Sequence, residues 1–345
     1  MAPYDDRMDV TDRIAGGIAG AMIGDALGAL TETLTRRQIR ETYGGWVRDF
    51  IPNDHTPFGQ RRTLGAITDD ASLLLAMARS CLDGPTLETV VRELLAWSEH
   101  PLYGQFCGPS TSRALARIRA GDDPALVGLG TPESFTGASN GGGMKAAPAG
   151  WLHPGDAAAA ARTAALFCVP THNTDLGVAG AATIAGACAA AMVNGATLDD
   201  VVAGAMVGAR EGLLIGQAEG RTVAGPNPAR RVEAAVEIGR RAPDLETAVE
   251  DLADLIGAGI AAMEAVPSAI GLVVAADGDP VTTAIAAANI GDDTDTIGCM
   301  ATSIAGTLRG FEAFPATWVE LVERVNDVDI RATAREFATR VEDGA

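Results

Sequence analysis

Residues 12–30 read DRIAGGIAGAMIGDALGAL, and this stretch decides the fold. Its Gly/Ala-rich apolar run predicts a helix that ends near Gly28, ahead of Thr31 and Glu32. Side chains this small let a neighbouring helix approach closely. The same economy holds for the whole chain of 345 residues, in which 47% of residues are hydrophobic but only 4% are aromatic. A core built from Ala, Val, Leu and Ile favours packed helices, so the expected class is all-α.

Outward from that segment, residues 43–63 collect Gly44, Gly45, Pro52, Asn53, Asp54 and Pro57 without a helical period and read as a loop. Apolar spacing returns from Thr68 through Leu73, Leu74, Leu75 and Met77, and again from Leu87 to Leu95. Residues 101–155 are the least regular part, with the run Gly141-Gly142-Gly143 inside them. Helical patterns follow at about 156–168, 174–193, 198–216, 228–241, 244–262, 268–276, 280–290, 296–310, 315–326 and 330–342. Neither a repeat nor a linker divides them, so one compact domain over 1–345 is expected, residues 1–10 forming a polar leader.

A formal charge of -19 repels phosphate backbones and anionic lipid, which argues against nucleic-acid or membrane-surface partners. The start of the chain is polar and holds Asp5, Asp6 and Asp9, unlike an export signal. Five scattered cysteines without CxxC spacing read as reduced core thiols, so the expected location is cytoplasmic.

Two acidic runs carry the chemistry. Thr68-Asp69-Asp70 stands where a loop becomes a helix, a position that capping alone explains. Capping does not explain Asp292-Asp293-Thr294-Asp295-Thr296, because three carboxylates in five residues repel one another unless a cation is present. Hard cations such as Mg²⁺ or Mn²⁺ take oxygen ligands of this kind. If Asp69, Asp70, Asp293 and Asp295 face one another, their four charges balance two divalent ions.

Taken together, Gly24-Asp25-Ala26-Leu27-Gly28 with Thr31-Glu32, Thr68-Asp69-Asp70 and Asp293-Thr294-Asp295-Thr296-Ile297-Gly298 resemble the ADP-ribosylglycohydrolase family. Residues 139–150, SNGGGMKAAPAG, look like that family's Gly-rich substrate loop, and Thr171-His172 like its Thr-His element. The resemblance covers roughly residues 12–325. It implies an orthogonal helical bundle around a cleft with two Mg²⁺ or Mn²⁺ ions held by Thr68, Asp69, Asp70, Asp293, Asp295 and Thr296. It also implies cleavage of a glycosidic bond to ribose, with Glu32 as first candidate for the acid, base or electrostatic partner and Asp69 or Asp295 as second.

The substrate side is expected to include Asn140, Gly141, Gly142, Gly143, Met144 and His172, the glycine backbone cradling a phosphate. Lys145 is a further phosphate candidate, and Tyr103, Phe106 and Trp151 are candidates for stacking on a base. Asp25 has the alternative of a scaffold role, a buried acid that pairs a neighbouring helix and fixes the loop to Glu32. Two departures from the family pattern, Ala71-Ser72 where Thr is frequent and Gly143-Met144-Lys145 where Met-Arg is common, bear on the leaving group and the far half of the substrate. The expected substrate is an ADP-ribosylated protein or a small ADP-ribosyl compound. A nucleoside-sized ribosyl glycoside is the alternative, and a non-catalytic ADP-ribose-binding or regulatory protein the third.

Overall fold

A computed structural model of the chain describes residues 8–52, 63–100, 107–131 and 137–343. Helix α1 (Val10–Gly28) starts where Asp9 accepts the Asp12 N–H at 2.7 Å, and α2 (Arg36–Tyr43) starts on a reciprocal Thr35/Gln38 capping box. α3 (Asp69–Leu82) and α4 (Leu87–Ser98) begin on Thr68 and Thr86. α5 (Pro109–Arg119) and α6 (Pro124–Val127) carry Pro in the first turn, where the missing N–H leaves nothing unsatisfied. A 3₁₀ turn at Asn140–Gly142 leads to α7 (Ala147–Trp151) and α8 (Ala157–Cys168). α9 (Asp175–Ala191), α10 (Leu198–Glu219) and α11 (Pro228–Arg241) are capped by Thr174, Thr197 and Asn227. α12 (Leu245–Asp251) runs into a π turn at Leu252–Ile256, and α13 (Ala262–Ala275), α14 (Pro280–Ala287), α15 (Thr294–Arg309), α16 (Ala316–Asn326) and α17 (Ile330–Asp343) complete the order. The protein is all-α, and the described residues contain two isolated β-bridges but no strand.

The opening glycine-rich run does what its composition suggests. α1 and α15 lie antiparallel in near backbone contact: a Cβ at Gly16, Gly20, Gly24 or Gly28 would overlap Gly306, Thr302, Gly298 or Thr294 respectively. α9 and α10 repeat the device, Gly186 and Gly208 lying against Gly204 and Ala182. The α1/α15 seam positions the site, because the end of one helix and the start of the other meet there. The joint is locked by Thr31 Oγ1 donating to Ala288 O at 2.7 Å and Thr294 Oγ1 to Gly28 O at 2.8 Å. Asp292, at φ 63°, exchanges backbone bonds with the loop after α1, through Thr33 N–H at 2.8 Å and Leu34 O at 2.9 Å.

Three expectations need correction. α2 and α5 are helices that periodicity does not predict, since α2 buries only Ile39, and α5 only Thr111, Ala114 and Leu115. α2 starts on its capping box and α5 on Pro109 without a side-chain cap, and each packs through only a few buried residues. The pattern at 244–262 is not one helix: it ends at Ile256, reverses through Gly257 at φ 102°, and resumes at Ala262, with Pro267 inside α13. Pro267 has no N–H for the Met263 carbonyl four residues back, and Arg231 Nε donates to that oxygen instead at 3.2 Å. Trp151 is fully buried, donates to Thr307 Oγ1 at 2.9 Å and meets Phe337 edge-on, so it is core and not a base platform. Tyr103, Phe106 and the first residues of the leader lie outside the described residues.

Candidate active site

The start of α3, the start of α15 and the turn after α1 converge on one cleft. Asp69 and Asp70 line it from α3, Asp293, Asp295 and Thr296 from α15, and Glu32 from the turn. The order follows from local chemistry. Asp25, fully buried in the last turns of α1, accepts the Thr68 N–H at 2.9 Å and the Ala71 N–H at 2.9 Å. It therefore fastens the α3 N-terminus to α1, the buried pairing with a neighbouring helix that the sequence offered as its scaffold role. Thr68 caps α3 and donates to Asp70 Oδ2 at 2.7 Å, which sets its hydroxyl beside the acids.

Burial pushes the Asp70 carboxyl well above the usual carboxylate range, and the charges of Asp69 and Asp293 add to it. Asp295 is raised well above that range by burial first and by Glu32 next, and Asp293 is raised chiefly by burial. Carboxylate oxygens of Asp25, Asp70 and Asp295 can all lie within 4.8 Å of one another, and Asp70 Oδ1 is buried with no hydrogen-bond partner. An unsatisfied carboxylate oxygen inside a crowd of like charge is relieved by a proton or by a divalent cation, and oxygens grouped this closely fit the second.

The facing wall comes from three short backbone segments. Asn140 Nδ2 donates to Asp293 Oδ2 at 2.5 Å, tying this wall to the acids. Its N–H donates to Ile260 O at 2.9 Å, and the Asp293 N–H reaches Ala258 O at 3.0 Å. The break between α12 and α13 thus holds a residue of each wall. Asn140, Gly141, Met144 and His172 line the cleft beside Ser139 and Ile260.

Gly142 and Gly143 do not line it. Their α-carbons face the core, where a Cβ would stand 3.0 Å from Cys168 Sγ and 2.8 Å from Met300 Sδ. The N–H groups of Gly143 and Met144 both bond Asn140 O, at 2.7 and 3.1 Å, so they do not cradle a phosphate. Lys145 is fully buried on Thr171 Oγ1 and likewise does not line the cleft. Ser110, Thr111 and Ile260 are lining residues that the sequence reading did not single out. The Gly108-Pro109-Ser110 sequence carries a helix-start signal that pointed to the first two, whereas nothing in the sequence marks Ile260.

Comparison with known proteins agrees with this architecture. The family described as ADP-ribosylglycohydrolase matches residues 6–344, and the chain belongs to that family. It is 35% identical over 341 residues to the uncharacterized protein YegU of Escherichia coli (strain K12), covering 95% of this chain and 97% of that one. It is 26% identical over 343 residues to the ADP-ribosylhydrolase ARH3 of Homo sapiens, covering 93% and 92% of the two chains. A solved structure titled ADP-ribosylglycohydrolase-related protein complex superposes with a TM-score of 0.68 at 22% identity, covering 96% of this chain and 99% of that one, and so shares the fold. Among the described residues no helix is long and apolar enough to cross a membrane.

Proposed function

We propose that the chain hydrolyses the bond between the anomeric carbon of a ribose and its leaving group in an ADP-ribosylated protein or a small ADP-ribosyl compound. The observation that carries this reading is the buried, partnerless Asp70 Oδ1 among Asp25 and Asp295, in the same cleft as Glu32 and the Asn140 wall. Thr68, Asp69, Asp70, Asp293, Asp295 and Thr296 would hold two Mg²⁺ or Mn²⁺ ions, the Thr68 hydroxyl standing 2.7 Å from Asp70 Oδ2. Bound there, the ions would supply positive charge for ribose hydroxyls and water beside the scissile bond.

The remaining work belongs to the protein's own groups. Glu32 is only half-buried, unlike Asp70 and Asp295, and can exchange protons with solvent. Its carboxylate takes a proton from the attacking water as the water oxygen bonds the anomeric carbon, and the bond to the leaving group breaks with its electron pair going to that group. The negative charge of Asp295, and that of Glu32 until it takes the proton, stabilises the positive charge that develops on the sugar ring. Asn140 and His172 hold the substrate from the facing wall.

The test is product analysis by mass spectrometry with Mg²⁺ or with chelator, on ADP-ribosylated peptides, ADP-ribosyl small molecules and nucleosides. Free ADP-ribose released only with the metal is the expected result. Metal-dependent release of ribose from nucleosides, with ADP-ribosyl compounds untouched, would transfer the reading to a smaller ribosyl substrate. Ligand binding without turnover of any substrate would leave a binding protein.

A further inference from the structure

A line of four polar side chains runs from the core to the cleft. Lys145, 0% exposed, hydrogen-bonds through Nζ to Thr171 Oγ1 at 2.9 Å, and it forms no ion pair with a carboxylate among the described residues. Thr171 Oγ1 lies 2.9 Å from His172 Nδ1. The other ring nitrogen, Nε2, lies 3.0 Å from Ser139 Oγ, and Ser139 lines the cleft. Burial with no counter-charge pushes the Lys145 amine down from its ordinary pKa, and a methionine would fill the same volume without that cost.

We propose that Lys145 is a positioning residue: an ammonium that donates and never accepts, it sets the direction of every hydrogen bond in the Lys145–Thr171–His172–Ser139 line, so that the Ser139 hydroxyl presents its proton to a ligand oxygen in the cleft. The logic is one of donor counting. Thr171 Oγ1 accepts from Lys145 through one of its two lone pairs, which polarises its O–H into a stronger donor, and the ammonium beside it favours a bare Nδ1 over an N–H turned its way, so the threonine proton is directed to His172 Nδ1. Nδ1 is then the bare nitrogen, and the ring proton sits on Nε2. Nε2–H donates to Ser139 Oγ, which leaves the serine proton for the ligand. The ring is held neutral, as this scheme requires, because burial and then the neighbouring Lys145 charge keep His172 well below its ordinary pKa. Its seat is fixed as well, since a Cβ on Gly141 would fall 2.7 Å from Nε2.

The nature of the ligand rests on the function proposed above, but the tautomer does not. Ring-¹⁵N labelling of the full-length protein gives signals from four histidines, with His172→Gln providing the assignment. The wild type should show Nε2 protonated and Nδ1 bare, and Lys145→Arg, whose guanidinium also cannot accept, should show the same. Lys145→Met should lose the single tautomer, as should Thr171→Val, which breaks the line one residue later and stands in if Lys145→Met does not fold. Titration with ADP-ribose as probe should weaken about tenfold in both, the loss of roughly one hydrogen bond, and kcat should change less than KM. A wild-type ring protonated on Nδ1, or a His172 tautomer unmoved in both variants, would overturn the proposal. Absence of glycohydrolase turnover with the Nε2–H tautomer intact would sink the proposed function and leave this line standing.

Discussion

The two walls of the cleft are built by different means. The acidic wall is made of helix ends: α1 and α15 touch along glycines, and Asp25 bolts α3 onto them through backbone N–H groups. The facing wall is made of turns, with Asn140, His172 and Ile260 held by hydrogen bonds between short segments rather than by helix-on-helix contact. Where like charges must stay together, the chain uses rigid elements whose backbones cannot separate. Where a ligand must be gripped, it uses segments that a bond or two can retune.

The largest effect should come from the acidic wall. Asp293→Asn keeps an oxygen for Asn140 Nδ2, so the fold should survive, while metal-dependent turnover falls by about 10³-fold, roughly 4 kcal/mol of barrier. Steady-state assays with saturating Mg²⁺ measure it, and wild-type turnover would remove Asp293 from the site. Next, Gly24→Val would drive a side chain into the Gly298 backbone, where neither partner is a flexible side chain that can yield. Chemical denaturation should show a loss of about 3 kcal/mol. A milder loss would mean that the seam is looser than its geometry implies.

Charge and metal also couple the acidic wall to pH. Burial raises Asp70, Asp293 and Asp295 above the ordinary carboxylate value of 3.8, so the folded metal-free protein holds protons that the unfolded chain releases. Their contribution to stability is complete below the unfolded pKa and is lost as pH rises through the raised folded values. A divalent ion replaces those protons and should restore what is lost. The gap in Tm between Mg²⁺ and chelator should therefore widen as pH rises above the ordinary carboxylate value of 3.8 and through the raised folded values. A gap independent of pH would mean that these carboxyls do not bind the ion.

This contrast also governs what the sequence revealed. The acidic runs were legible because three carboxylates in five residues have no cheap explanation, and the 12–30 helix because small residues predict close packing. Both signals are local. Gly142, Gly143 and Lys145 were misplaced because a glycine run reads the same whether it faces a ligand or a methionine sulfur, and only the fold decides which. The break at residues 257–261 was missed for a related reason: apolar spacing continues through it, and the Arg231 bond that permits Pro267 inside α13 spans 32 residues. Asp25 was visible as a scaffold acid, but not α3 as the helix it anchors, since its partners are backbone N–H groups 43 and 46 residues away.

The facing wall should give the smallest effect on stability and the clearest separation of KM from kcat. Arg231 donates to Met263 O at 3.2 Å and Leu255 O at 3.4 Å, and also to Ile256 O, so one guanidinium clamps both sides of the break. Arg231→Met leaves those carbonyls to partial solvation, a loss of about 1–2 kcal/mol visible as a modest fall in Tm. Residues 257–261 should then exchange amide hydrogens faster, because the carbonyls on both sides of them lose their shared partner. Ala258 O holds Asp293 and Ile260 O holds Asn140, so a loosened break disturbs the spacing between the walls. If the acidic wall is as rigid as its seam implies, Asp293 stays in place, KM rises and kcat holds. If kcat falls as far as KM rises, the break supports the acids as much as the ligand, and the two walls are one mechanical unit.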